Sequence, residues 1–431
     1  MNLASLATEA ASRNSPVRVG LIGAGKFGSM FLSQVPTIAG IEVSAIAELE
    51  HARMVAACTA VGWCAGQIDA VAYEESGVEL AKRDDVDVVI EATGSPRAGT
   101  EHALAAIEAG KHVVMVNVEA DVMVGPLLAK KARAAGVCYS MAYGDQPALV
   151  CEMVDWARAT GFDITAAGKG TKYLPIYHTV TPDNVWDYYG LTADQARTAG
   201  MNPQMFNSFL DGTKSAIEMV AIANACGLDV PKTGLSFPPC GVDDLAHVLR
   251  PKDFGGRLEK RGMVETISSL ERDGRDVFRD LRWGVYVVFE APNDYAASCF
   301  KQYGLPTDST GQFAAMYKPF HLIGLELSIS VLSAALRNEP TGQSREMRGT
   351  VASIAKRDLN AGEVLDGEGG YTVWGQALPL SAARNALPIG LAHGVRLKRN
   401  ISAGSQITMS DVELGSDTAT QFYQELIGRA F

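Results

Sequence analysis

A six-residue apolar strand, Val17–Ile22, runs straight into Gly23-Ala24-Gly25-Lys26-Phe27-Gly28 and then into a helical stretch over 30–35. No other segment restricts the fold as much. Glycines at this spacing between a strand and a helix are the dinucleotide fingerprint of a βαβ unit. Gly23 makes the tight turn, Gly25 lets the backbone approach a pyrophosphate, and Gly28 lets helix and strand pack closely. The helix start at Lys26 and Phe27 offers free N–H groups to the phosphates. Glu48 lies twenty positions beyond Gly28, where a carboxylate accepts hydrogen bonds from both ribose hydroxyls. It would repel a 2′-phosphate, so NAD(H) is expected in preference to NADP(H). His51 and Arg53 leave the opposite preference open.

The fingerprint has the neighbours it needs. Residues 42–47, 86–91, 112–117 and 137–142 are short and nearly all apolar, as strands of a parallel sheet covered on both faces are. Helical patterns at 103–109 and 126–135 lie between them. The expected fold class is therefore α/β, with a Rossmann-type sheet over 16–145 preceded by an N-terminal helix or tail, 1–15. Ligands of such sheets sit at the carboxyl ends of the strands. That places Thr93 and Gly94 at the ribose side, and Asn117 and Glu119 near the nicotinamide. Either of the last two could instead cap the following helix.

With 431 residues, the chain has room for two or three domains. Its 38 basic against 49 acidic side chains, net −11, argue against a nucleic-acid or anionic-membrane partner, which needs a basic footprint. No run of about 18 apolar residues suggests a membrane span. The first fifteen residues carry Glu9 and lack the apolar core of a secretory signal. Seven cysteines, an odd number without CxxC spacing, fit reduced thiols in a cytoplasmic protein. A small-molecule substrate is expected; a homo-oligomer is what similar folds imply, since they associate through the sheet of a middle domain.

That middle region, 146–345, is an α+β substrate domain, with helices expected at 150–160, 215–226 and 321–336 and a strand at 281–289. A dehydrogenase needs a proton donor or acceptor and polar groups that hold its substrate, and three clusters could supply them. Asp145 follows a strand in Tyr143-Gly144-Asp145-Gln146-Pro147. Lys169 and Lys172 stand among glycines after an apolar strand, where lost solvation would shift a lysine's pKa; the alternative is a solvated loop. Asp211, Lys214 and Glu218 fall on one face of an otherwise apolar helix. A Lys214–Glu218 ion pair is the plainer account of that face. Lys169 or Lys214 would handle the proton, Glu218 would tune it, and Asp211 and Asp145 would orient hydroxyls. His178, His247 and His321 are isolated. No transition-metal spacing occurs; a hard divalent ion is possible but not indicated, so metal ligands stay unknown.

After a turn-rich linker, 338–349, an internal repeat begins. Ala355-Lys356-Arg357-Asp358-Leu359-Asn360-Ala361-Gly362 aligns with Leu397-Lys398-Arg399-Asn400-Ile401-Ser402-Ala403-Gly404. Two such copies imply a small pseudo-symmetric β unit over 349–415, followed by a C-terminal helix or tail, 416–431.

Residues 23–28, 91–94, 114–121, 144–147, 168–170 and 211–219 together resemble homoserine-dehydrogenase-like oxidoreductases carrying a C-terminal SAF domain, a small β-clip. The resemblance spans about 16–414. It implies an NAD(P)-dependent oxidoreductase acting on a small polyhydroxylated carbonyl or alcohol (a sugar acid, polyol or sugar phosphate). Similar enzymes include reductoisomerase-like ones that convert 1-deoxyxylulose 5-phosphate with NADPH. Homoserine dehydrogenases place a lysine where Val118 follows Asn117. The reductoisomerase-like relatives carry an acid where Gln146 stands, and none matching Glu48. A dinucleotide-binding sensor without turnover is the alternative of a different class.

Overall fold

The computed structural model describes residues 2–430. The chain forms two compact units: 2–152 with 321–345 and 417–429, and 153–320 with 346–416.

In the first unit, strands β1 (Val17–Ile22), β2 (Ile41–Ala47), β3 (Ala72–Glu74), β4 (Val88–Glu91), β5 (His112–Met115) and β6 (Tyr139–Met141) form one parallel sheet in the order β3-β2-β1-β4-β5-β6. The order reverses direction between β1 and β4, which opens a crevice at their carboxyl ends. Strand residues such as Val19, Leu21, Val88, Ile90 and Val114 are fully buried, as continuous apolar runs between two helical layers require.

Two sequence expectations change here. The helix expected over 321–336 is shorter, Ser328–Arg337, because Gly324 turns at φ +72, where an added Cβ would press on Phe27 and Met30. That helix also does not extend the middle domain to 345. It packs on β1, β4, β5 and β6 and on the N-terminal helix Leu3–Ser12, and Val331, Leu332 and Ala334 are buried there.

The second unit holds a mixed sheet of β7 (Asp163–Thr171), β8 (Met263–Ser268), β9 (Val285–Glu290) and β10 (Phe313–Lys318), in the order β10-β9-β7-β8. Only β7 and β8 run parallel. One face packs on Val242, Leu245 and Leu249 through Ala166, Tyr286, Val288 and Ala315. Lys169 has the opposite parity to Ala166 and faces the helix Thr213–Cys226, which lies on β7 and β8. Both faces are thus covered within the chain, and every residue of β8 and β9 is buried.

The SAF-like β unit completes the second unit with β11 (Gly349–Ala355), β12 (Val364–Asp366), β13 (Val373–Pro379), β14 (His393–Leu397) and β15 (Val412–Glu413). β11 pairs with β13, and β12-β14-β15 form a second small sheet. The repeat is a structural one. Leu359 and Ile401 exchange backbone hydrogen bonds, Ala361 N–H donates to Asn400 at 2.8 Å, and Ala403 N–H donates to Asp358 at 2.8 Å. Those are equivalent positions, bonded reciprocally about a pseudo-twofold axis. β11 and β13 cover the outer side of the Thr213–Cys226 helix.

Candidate functional site

At the end of β1, Gly23 has φ +93, and a Cβ there would meet Ala92 O at 2.8 Å. Gly28 is closed in from the other side, since a Cβ would lie 2.4 Å from Gly23 O. A Cβ on Gly25 would meet nothing within 4 Å. The chain thus presses on the first and third glycines and leaves open space at the second, as a cradle for a pyrophosphate at the start of the helix Lys26–Gln34 does. These residues fit a dinucleotide. Phe27 is half-buried against the core of the sheet, so its side chain anchors the helix and only its backbone is available to a phosphate.

The Glu48 side chain is largely enclosed, with a carboxylate oxygen 3.7 Å from the Arg53 guanidinium. Acid and cation therefore stand together at the end of β2. Gly94 turns at φ +71 with open space around it. Thr93 Oγ1 donates to Glu91 at 2.5 Å. Glu91, at the start of that strand end, is fully buried and also lies 3.2 Å from His102 Nδ1. Asn117 takes the capping role that the sequence left open for it. It is 1% exposed, its Oδ1 accepts from Ala120 N–H at 3.0 Å and its Nδ2 donates to Ser95 O at 2.8 Å. Both ends of the side chain are engaged in capping the helix Val118–Ala134. Glu119 is half-buried in that helix's first turn, where a carboxylate complements the macrodipole.

Asp145 is buried, and its Oδ1 accepts from Gln146 N–H at 2.9 Å. Gln146 Nε2 lies 3.1 Å from His321 Nε2. Asp145 and Asp121 line a cavity of about 10 Å³ together with Met115, Val118 and Met141, room for one water. Asp121 accepts from Tyr139 Oη at 2.9 Å and Ser344 Oγ at 2.7 Å. Burial nevertheless pushes its carboxyl up to about 6.

In the second unit, Lys169 lies inside β7 rather than in the loop the glycines suggested. Its flanking glycines answer to packing: a Cβ on Gly168 would sit 1.9 Å from Glu265 O, and one on Gly170 1.9 Å from Leu281 O. The Lys169 ammonium forms an ion pair with Glu218 of the facing helix, and the two residues are 6% and 2% exposed. Glu218 thus reaches across from its helix to the strand. Lys214, half-buried, stands in the first turn of the same helix. Lys172 is not brought to Lys169: its ammonium donates to Tyr188 O and sits 5.8 Å from the Tyr189 ring centroid, and burial pushes its pKa down.

Asp211 is enclosed as well. It is 0% exposed; Oδ1 accepts from Thr213 N–H at 2.9 Å and Oδ2 lies 2.8 Å from the Lys356 ammonium. These contacts fix the turn that starts the helix Thr213–Cys226. His178, which stood isolated in the sequence, and Trp374, which carried no signal there, complete the surroundings of Asp211. His178 Nδ1 donates to Asp211 O at 2.7 Å and its Nε2 accepts from Tyr173 Oη at 2.9 Å. Burial, with a smaller contribution from the Lys356 charge, pushes the His178 pKa down, so the ring is neutral at pH 7. Trp374 stacks on it with centroids 3.8 Å apart. Among the described residues no group of three His, Cys, Asp or Glu could hold a metal ion, and no helix is long and apolar enough to cross a membrane.

Residues 20–141 match the family described as homoserine dehydrogenase, NAD binding domain. Residues 144–327 match oxidoreductase DRL, catalytic domain, and 352–413 match the SAF domain. Comparison with curated proteins returned no match. Among solved structures, a probable dehydrogenase from Thermotoga maritima is 15% identical over 75% of this chain and 90% of its own, with a TM-score of 0.40. Biliverdin reductase from Synechocystis sp. PCC 6803, in complex with biliverdin and NADP+, is 20% identical over 37% of this chain and 48% of its own, with a TM-score of 0.28. The WlbA dehydrogenase from Bordetella pertussis, in complex with NADH and UDP-GlcNAcA, is 18% identical over 36% of this chain and 44% of its own, with a TM-score of 0.28. The chain spans about half the length of the last two. The chain thus carries, in order, segments that match a homoserine-dehydrogenase-type NAD-binding domain, an oxidoreductase DRL catalytic domain and a SAF domain.

Proposed function

We propose that the protein interconverts a small polyhydroxylated carbonyl compound and its alcohol, with Lys169 moving the proton and Glu218 holding the lysine in place. The buried Lys169–Glu218 pair carries this reading. An ion pair enclosed to this degree adds little net stability, but it suits a proton donor that must be oriented before its substrate arrives. A bound nicotinamide supplies or accepts the hydride. The Lys169 ammonium hydrogen-bonds the substrate oxygen, gives a proton to it in the reductive direction and takes one back in the oxidative direction. Lys214 stands near enough in sequence, on the helix of Glu218, to orient a second substrate oxygen, and Asp145 is assigned to a hydroxyl. Gly23, Gly25, Gly28 and Thr93 would hold the dinucleotide, with Glu48 on the ribose hydroxyls. The enclosed Glu48 carboxylate supports NAD(H) over NADP(H), and seven cysteines without CxxC spacing support a reducing compartment such as the cytoplasm. A homo-oligomer is the assembly proposed.

The test is a turnover panel with NAD⁺ and NADP⁺ across polyols, sugar acids and sugar phosphates. Turnover with NAD⁺ that falls about a hundredfold or more in Lys169→Met, with NADH binding intact, is expected. Unchanged turnover in that variant removes Lys169 from the chemistry. Turnover only with 1-deoxyxylulose 5-phosphate and NADPH replaces this reading with reductoisomerase chemistry, and dinucleotide binding without any turnover replaces it with a sensor.

A further inference from the structure

Lys356 is the first residue after β11, in the first copy of the repeat, and Lys398 holds the same place after β14 in the second. The turns that follow are alike, with Gly362 and Gly404 at φ +90 and +75. The two lysines nevertheless have opposite surroundings. Lys398 is exposed, whereas the Lys356 side chain is 2% exposed. The turn itself therefore does not require a buried ammonium, and enclosing one is costly unless it is paired and hydrogen-bonded. Lys356 is both. It lies 2.8 Å from Asp211 Oδ2 and donates to Val180 O at 2.8 Å and Gly370 O at 2.9 Å.

Neighbouring contacts from the same β unit converge on one short stretch. Gly375 N–H donates to Thr213 Oγ1 at 2.8 Å, and a Cβ on Gly375 would meet Thr213 Cγ2 at 2.9 Å. Trp374 stacks on His178, which in turn donates to Asp211 O. Everything meets at Asp211-Gly212-Thr213, where Gly212 takes φ +90 and the helix Thr213–Cys226 begins. Glu218 stands in the second turn of that helix. Its position against Lys169 follows from where the helix starts.

We propose that the SAF segment is a working part of the catalytic half, with Lys356 as the positioning residue that fixes the start of the Thr213–Cys226 helix and, through it, the Lys169–Glu218 pair. This rests on the reading of that pair as the proton-handling group. It makes the SAF segment an internal brace instead of a module reserved for a partner.

The test uses the full chain and the panel substrate of highest turnover. Lys356→Met leaves Asp211 charged and uncompensated; Lys356→Met/Asp211→Asn removes both charges. In each, kcat is expected to fall at least tenfold, with KM changed less than threefold and NADH affinity less than twofold. The melting temperature should drop in the single variant and recover in the double. A pair that merely held the fold together would recover kcat along with the melting temperature, and that result overturns the proposal. So does a single variant within twofold of the parent kcat; if the single variant does not fold, the double decides by the same numbers. Glu218→Gln is measured alongside. If it loses turnover while the Lys356 variants keep theirs, only the role of the SAF segment fails. If it keeps full turnover, the reading of the pair fails first and the route from Lys356 falls with it.

Discussion

Two glycines three positions apart do opposite jobs, and single methyl groups separate them. A Cβ on Gly25 meets open space, and the residue's φ of −66 suits any L side chain. Gly25→Ala should therefore fold as the parent does, with a melting temperature almost unmoved, and yet lose at least tenfold in NADH affinity, because the methyl occupies the phosphate's place. Gly28→Ala pushes a methyl to 2.4 Å from Gly23 O and should cost about 1–3 kcal/mol of stability. Equal losses of NADH affinity without any loss of stability in both variants would contradict this division. Asp121 offers a pH-dependent counterpart. Its folded pKa of about 6 lies above the unfolded 3.8, so between those values the native state binds more protons than the unfolded one. Stability then falls as pH rises through that window and stays lower above it, by roughly 3 kcal/mol. Asp121→Asn keeps an acceptor for Tyr139 and carries no charge. Urea titrations should show the variant gaining on the parent from pH 4 to pH 7; parallel curves would mean that Asp121 does not titrate there.

The element on which the candidate site depends is the Thr213–Cys226 helix, buried everywhere except at Lys214. Its first residue accepts the N–H of Gly375 at 2.8 Å in a buried setting. Thr213→Val keeps the shape and removes the acceptor, leaving that N–H unsatisfied. We expect a loss of about 1–3 kcal/mol in a denaturation experiment, where an exposed Thr-to-Val change would be near neutral. How much of such an element can be read from sequence depends on how local its causes are. β1, β2, β4, β5 and β6 were legible because apolar runs between helices are a local signal. β3 was not, since three half-buried residues at a sheet edge carry no pattern. The glycines beside Lys169 were visible, but they reflect pressure from Glu265 and Leu281, neighbours far away in the chain. The partner Glu218 was visible as an acid on an apolar helix, while its contact with Lys169 is a tertiary fact. Lys356 could not be singled out at all, because Lys398 stands in the same local sequence and points to solvent.

At the scale of the whole chain, the nucleotide-binding unit is discontinuous, which local patterning cannot reveal. The chain leaves it after 152 and returns at 321. The returning stretch does more than add a helix. Ser330 Oγ accepts from Tyr143 N–H at 2.7 Å, Gly342 O accepts from Met141 N–H at 2.8 Å, and Gln343 Nε2 donates to Tyr139 O at 2.8 Å. Residues 341–343 therefore run along the outer edge of β6, the last strand of the sheet, while Val331, Leu332 and Ala334 cover its face. A fragment of residues 1–152 contains every strand of the sheet and the whole glycine fingerprint, so a sequence-based boundary would choose it. It would nonetheless expose an apolar face and a bare strand edge, the conditions that favour aggregation. We expect 1–152 to be insoluble or to melt without cooperativity, and not to bind NADH. The same fragment joined by a flexible linker to 321–345 should be soluble, melt cooperatively and raise NADH fluorescence on binding. A cooperative, NADH-binding 1–152 would show that the returning segment is an accessory to this sheet and not part of what lets it fold.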